Sequence, residues 1–520
     1  MIKGLAKIGD VKFGKLDAYS EYMEYGKDMY KSLFLASPNF HVEKFLTGKT
    51  YYIHGEKGTG KTALLKYIQI IAEENSSYIE YIRFKKDIDD DDRNQIKRAG
   101  LEVHPFEQVI ESEIPLDYAI NCILAWEVYI IKSIVTRLQK EKDVVFARDD
   151  EWKKLATLIK GAYPEERINI RKILPKLTKG NIKLNIASKA SVGVEFEWAD
   201  EKEKLVNFNA FAKMIVSIYE NLTPCNNSCY ILFDELELVN INKKKYTRDV
   251  SLIRDLIQAV YYINEIGKTH KYNVFTIACI RNEVYRSAAA VGRELNKYIQ
   301  DYGVEISWTQ NGGSINDHPL IRMIENRLIQ SQSEEIKAQY SSVWDEYICE
   351  SVGKRDTKNY IIDQTWNKPR DITRLFMLIQ KRAENTVKID ASLFESVRAK
   401  YSSEAWEEFS NELSAKYSTS EIQAIKLVLT GMTIPFTLST FQDRIQKYKD
   451  LGEDVFKLAQ NRKPADILSD LYRVGIIGTI SIDNKWTRFV FKGNEDFDLL
   501  SQYTVHYPLR RFFSVVTAIQ

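Results

Sequence analysis

A short apolar strand pattern, Tyr51-Tyr52-Ile53, runs into Gly55-Glu56-Lys57-Gly58-Thr59-Gly60-Lys61-Thr62, and Ala63, Leu64, Leu65, Tyr67 and Ile68 then continue at helical spacing. The middle segment matches G-x-x-x-x-G-K-[ST] at every fixed position. Strand, glycine turn and helix in that order predict a backbone whose N–H groups turn inward around a triphosphate. Lys61 then reaches the outer phosphates, and the Thr62 hydroxyl holds Mg²⁺. The positive end of the following helix points at the same place.

The 520 residues exceed one ordinary core and predict roughly three domains. With 44% hydrophobic and 28% charged residues the composition is that of a globular chain, which excludes disordered and collagenous classes. A net charge of +2 supplies no global reason to expect nucleic acid. Cys122, Cys225, Cys229, Cys279 and Cys349 are scattered and odd in number, as expected for reduced thiols in the cytosol. Cys225 and Cys229 lack a second cysteine or histidine cluster and read as unpaired buried thiols rather than metal ligands. The amino terminus has no apolar signal stretch, and the run Ala119–Val135, broken by Asn121, Glu127 and Lys132, reads as a core helix instead of a membrane span. The predicted location is therefore cytoplasmic, with no membrane partner.

Along the chain, Tyr78–Phe84 alternates like a strand, and the acidic run Asp87 to Asp92 reads as a solvated loop. Ile182–Ala187 and Val192–Trp198 predict a β-hairpin insertion within about 140–205. A helix over about 207–221 leads to the buried strand Cys229–Phe233, which ends in Asp234-Glu235. A helix over about 249–265 leads to the strand Val274–Ile280. Strand, helix and strand at these lengths predict an α/β fold with a parallel sheet. Beyond about 310 the pattern turns helical over 321–330, 333–347 and 372–383.

Two acidic functions beside a phosphate loop suit nucleotide hydrolysis, with Asp234 in the Mg²⁺ shell and Glu235 orienting or deprotonating the attacking water. Their place at the carboxyl end of a strand is where open α/β sheets bind ligands. Arg281, directly after its strand, either contacts a γ-phosphate or pairs with Glu283 or another acid. In Asn367-Lys368-Pro369-Arg370-Asp371-Ile372-Thr373-Arg374 a proline opens a helix carrying two arginines one turn apart, of which Arg370 is the better phosphate sensor and Arg374 the second choice. Ordinary helix-surface arginines are the equal alternative. Arg322 and Arg327, after His318-Pro319, are candidates for action on a neighbouring subunit.

Together the Gly55–Thr62 loop, the Asp234-Glu235 strand end, the strand ending at Arg281 and the Pro-Arg helix resemble the AAA+ and STAND group of P-loop ATPases over roughly residues 45–400. The resemblance implies a sheet of about five parallel strands, with an extra strand between the loop strand and the Asp strand. It also implies ATP rather than GTP, Mg²⁺, a helical lid, and a homo-oligomer in which a neighbour's arginine completes the site. It further implies Glu235, Lys61, Arg281 and Arg370 in catalysis, nucleotide binding along Gly55, Glu56, Lys57, Gly58, Thr59, Gly60, Lys61 and Thr62, and a metal shell of Thr62 and Asp234. The stretch between Thr62 and Asp234 is longer than a minimal core of that group needs. Glu56-Lys57-Gly58, Asn296–Asp301 with Trp308, Lys368–Asp371 and Val505–Leu509 are similar to bacterial P-loop ATPases, which implies service in defence against phage or mobile DNA through a separate effector protein.

Residues 401–520 resemble a winged-helix module, with helices over 421–429, 439–448 and 464–474 and a wing hairpin from Gly475–Ile480 and Trp486–Phe491 around Asp483-Asn484. That region holds fourteen Lys/Arg against fifteen Asp/Glu, whereas a duplex-binding module shows a basic excess. A protein-contact surface is at least as good a reading as DNA. The predicted organisation is thus a helical lead-in over 1–48, an ATPase core over 49–310, a helical lid over 311–400 and a winged-helix-like domain over 401–520. The predicted function is an ATP-hydrolysing switch. A DNA-loading ATPase and a scaffold that binds ATP with little turnover are the rivals.

Overall fold

Buried apolar runs bounded by turns pair into one five-stranded sheet in the computed structural model. The strands are β1 (Tyr52–Gly55), β2 (Tyr78–Arg83), β3 (Cys229–Leu236), β4 (Val274–Arg281) and β5 (Gly303–Glu305). Every pairing is parallel, and the spatial order is β2-β3-β4-β1-β5. β3 and β4 are buried almost throughout, as inner strands covered on both faces must be. The described residues are 2–102, 121–139, 141, 145–163, 174–175, 177–178, 181–184, 204–238, 243–290, 295–310, 312–414, 416–480, 487–494 and 496–517.

The order places β4 between the strand that enters the glycine loop and the strand that carries Asp234. Along β3 the register with β4 slips, since Phe233 faces Ala278 whereas Leu236 faces Ile280. Three steps on one strand against two on the other form a bulge at Asp234-Glu235, and Glu235 takes a positive φ of 55°. Bulges of this kind re-aim side chains beside functional sites.

Four helices follow these strands: α1 (Lys61–Glu74), α2 (Ile123–Leu138), α3 (Phe208–Glu220) and α4 (Lys243–His270). The stretch expected to be a core helix is one, for α2 is buried on nearly all sides. The Trp126 indole donates to the Leu252 carbonyl at 2.9 Å, and its ring meets Phe84 and Phe233. Lys132 is fully buried with its ammonium 4.1 Å from the centre of the Tyr163 ring, where cation–π attraction offsets part of the desolvation cost. Among the described residues no helix is long and apolar enough to cross a membrane.

Two local expectations fail. The acidic run is not a solvated loop: Asp90 opens a helix to Glu102, and the Asp89 carboxylate accepts the Asp92 N–H at 2.9 Å. Three aspartates in a first turn suit the positive helix end, and Arg248 (2.7 Å) and Lys245 (3.0 Å) neutralise Asp90. The helix expected over 333–347 is two, Glu334–Gln339 and Trp344–Tyr347. Tyr340 is extended, and the Ser342 hydroxyl accepts the Trp344 N–H at 3.2 Å, so a serine offers the backbone an alternative to continuing the helix. Of the hairpin expected at 182–198, the described part is Asn181–Leu184, antiparallel to Leu177–Thr178 and to Lys204–Asn207; the second expected strand lies outside the described residues.

Contacts divide the chain into two units, one of 39–57 and 61–306, the other of Met1–Pro38, Gly58–Gly60 and Ser307–Gln520. The second is built on α5 (Pro319–Gln330), α6 (Thr357–Asp363), α7 (Pro369–Arg382) and α8 (Ala391–Leu413), with further helices at Thr419–Leu429, Leu438–Lys449, Glu453–Asn461 and Pro464–Arg473. α8 runs unbroken across residues 400 and 401, where the sequence reading put a domain boundary. Ile477–Ile480 pairs antiparallel with both Thr487–Arg488 and Gln502–Val505, and residues 481–486 lie outside the described part.

One close approach there is decisive. Gly475 has φ +82°, its carbonyl accepts the Trp366 indole N–H at 2.8 Å, and an added Cβ would lie 2.9 Å from Trp366 Cδ1. Gly475→Ala combines backbone strain with overpacking. It is expected to destabilise this unit by about 2–4 kcal/mol, read as a lower denaturant midpoint at unchanged slope.

Candidate functional site

The first unit brings the loop strand, the head of α1 and the end of β3 together. Nζ of Lys61 donates to the carbonyls of Gly55 (2.9 Å) and Glu56 (2.7 Å), so its ammonium folds back over its own loop. Burial, and after it the positive charge of Arg281, push the Lys61 amine down to about 8. The Thr62 hydroxyl donates to Asp234 Oδ1 at 3.2 Å, joining residues from the head of α1 and the end of β3. Asp234 is buried, and its two oxygens are held on separate sides. Oδ1 also accepts the Glu235 N–H at 2.8 Å, and Oδ2 accepts the Tyr81 hydroxyl at 2.5 Å.

Glu235 is half-buried at the bulge. Burial and the neighbouring carboxylates Asp234 and Glu237 raise its pKa, the direction that suits a group taking up a proton. Arg281 stands at the end of β4, where it pairs with Glu237 and, at 3.5 Å, with Glu283. In this arrangement its guanidinium is engaged by carboxylates, as the second of its two sequence readings expected. His54 and Glu56 are linked through Asn282, whose amide reaches Glu56 Oε1 at 3.3 Å and Glu305 Oε1 at 2.9 Å.

Three residues matter here that the sequence reading did not single out. Tyr81 positions Asp234. The Lys66 ammonium sits 3.5 Å from the centre of the Tyr81 ring and is pushed down to about 8 by burial. Glu237 engages Arg281. The signal for Tyr81 was its strand alternation, but its partner becomes visible only in the β2–β3 register, which sets Tyr81 beside Leu232 and Arg83 beside Asp234.

The loop tip, Gly58–Gly60, groups with the second unit. Gly58 and Gly60 hold φ of +84° and +94°, a region costly to any residue with a Cβ. The Trp308 indole donates to the Thr59 carbonyl at 2.8 Å, and the Arg370 N–H reaches the Gly58 carbonyl at 3.4 Å. Pro369 is in the first turn of α7, as the motif predicts. The Arg370 guanidinium pairs with Glu408 at 3.1 Å, and Arg374 pairs with Glu408 and with Asp371 at 3.6 Å. Arg327 is buried in a 2.8 Å pair with Glu21, which removes it from the candidates for action on a neighbour; Arg322 is exposed.

The oxygen donors Thr62 and Asp234, adjoining at the head of a helix, fit a hard divalent cation, and the retracted Lys61 ammonium fits an anion that would draw it outward. A search of curated proteins finds no match to the chain. A family model described as the FunZ-associated C-terminal helical domain matches residues 318–410, the stretch from the head of α5 through most of α8.

Proposed function

We propose that the chain is a Mg²⁺-dependent ATPase of the P-loop class, similar to the AAA+ and STAND group, that works as a nucleotide-driven switch. The observation that carries this reading is the 3.2 Å bond between Thr62 and Asp234 beside a loop that matches the phosphate-binding pattern at every fixed position. The strand order, with one strand between the loop strand and the Asp234 strand, supports it.

In this reading the backbone of Gly55–Gly60 cradles the phosphates and Lys61 leaves its own carbonyls for the outer ones. Thr62 and Asp234 would hold Mg²⁺, which would supply positive charge against the phosphate oxygens. Tyr81 keeps Asp234 in place. Glu235 accepts the proton of the attacking water. The winged-helix reading of the last 120 residues and a role in antiviral defence through an effector protein belong to the same proposal.

The test is Asp234→Asn. Mg²⁺ affinity of the nucleotide complex is expected to fall about 10- to 100-fold, with binding of metal-free ATP retained. ATP binding and phosphate release in the unaltered protein that are indifferent to chelation of Mg²⁺ would overturn the assignment.

A further inference from the structure

The second unit holds a cavity of about 410 Å³, within the range of small-molecule sites. One wall is the tight hairpin of Ser351–Val352 and Arg355–Asp356, which turns at Gly353 with φ +61°. Tyr360 from α6, Ala391 and Glu395 from the first turns of α8, and Tyr507 from a short helical turn supply the rest.

Cations gather around this cavity. The guanidiniums of Arg355 and Arg398 each lie 4.9 Å from the centre of the Tyr507 ring, and that of Arg510 lies 5.7 Å from it. Lys354 lines the cavity beside Arg355. Two carboxylates answer four cations: Asp363 pairs with Arg355 at 2.6 Å and Glu395 with Arg398 at 3.4 Å. Among the described residues no carboxylate pairs with Lys354 or Arg510; Arg510 donates to the Val505 carbonyl (3.0 Å) and the Thr504 hydroxyl (3.1 Å). Nε of Arg398 is buried with no hydrogen-bond partner among the described residues. Burial lowers the Arg510 pKa, with the charges of Arg355 and Arg398 acting in the same direction and Tyr507 and Asp363 against it.

Guanidiniums partly withdrawn from water, as those of Arg398 and Arg510 are, favour an anion beside them. The surplus is two charges, and a phosphate monoester carries about −1.5 to −2 at pH 7. Guanidiniums held in a fixed fork match phosphate oxygens. We propose that this cavity binds the phosphate monoester of a small molecule, with Lys354 and Arg355 in its lining and Arg398 and Arg510 against the ring of its Tyr507. The inference stands on this cluster alone and does not depend on the nucleotide reading of Lys61.

The experiment is calorimetric titration of the full chain, unaltered and as Lys61→Ala, with inorganic phosphate, ribose 5-phosphate, adenosine 5′-monophosphate and unphosphorylated ribose. Saturable binding of the two monoesters that persists in Lys61→Ala is expected, with none for ribose, and with affinity at least tenfold lower in Arg355→Gln and Arg398→Gln. Inorganic phosphate is expected to bind more weakly than the esters. Arg355 is half-exposed, so Arg355→Gln keeps the test valid should Arg398→Gln fail to fold, and an unchanged melting temperature checks this. Absence of saturable binding by either ester, or affinities unchanged in Arg355→Gln, would overturn the proposal.

Discussion

Glu235→Gln should cut ATP turnover by about 10²–10⁴-fold while leaving nucleotide affinity within a few-fold of the parent. The amide keeps the size of the carboxylate but cannot take a proton, and Glu235 is the group whose pKa burial and the adjacent Asp234 and Glu237 raise. Asp234 keeps its bonds to Thr62 and Tyr81 in this variant, so binding and proton transfer separate. Single-turnover phosphate release beside equilibrium binding reads both quantities. Turnover equal to the parent would remove Glu235 from the chemistry, and turnover absent in both proteins would favour a scaffold that binds ATP without hydrolysing it.

The second large effect is at Lys61. Lys61→Ala is expected to weaken ATP binding roughly 10- to 100-fold, the worth of a charge-assisted contact to phosphate. A pH signature accompanies it. In the free protein the amine is pushed down to about 8 by burial and Arg281, and a bound polyphosphate must raise it again, so binding takes up a proton. Affinity should therefore be flat from this group below about pH 7 and decline as pH rises through about 8, by at most tenfold per pH unit. Lys61→Ala should abolish that decline. The same lowered value means that the unfolded chain holds more protons at Lys61 between about 8 and its ordinary 10.5, so the free fold gains stability from this residue as pH rises through that window. Calorimetric affinities from pH 6.5 to 9.5 check the sign, and an affinity that rises through pH 8 would contradict it.

Strand and helix positions were readable where period and burial agreed. β3 is apolar up to Asp234, β4 is apolar but for Thr276 up to Arg281, and α2 and α7 carry clear helical patterns. The acidic run at 87–92 misled because its neutralising partners, Lys245 and Arg248, lie more than 150 residues away. The domain edge at 400 rests on reading residues 401–520 as a separate compact module, yet α8 keeps one helix through it, burying Tyr401, Ala405 and Phe409 on successive turns. At the candidate site, Lys61, Thr62, Asp234 and Glu235 are residues the sequence itself singles out, but the engagement of Arg281 by Glu237 was not legible, since the end of β4 and the residue just past β3 meet only after the register is set.

The order of residues from Tyr51 to Ile68 already dictates a strand, a turn with left-handed glycines and a helix with a lysine and threonine at its head, because those constraints act between neighbours. Nothing so local states that Asp234 lies 3.2 Å from Thr62, that Tyr81 steadies its other oxygen, or that Arg355, Arg398 and Arg510 converge on one tyrosine. Those meetings depend on strand order, on a one-residue bulge in β3 and on helix packing. They arise when distant segments bury their apolar faces together, and the polar groups carried with them are left to pair with whatever the packing has brought alongside.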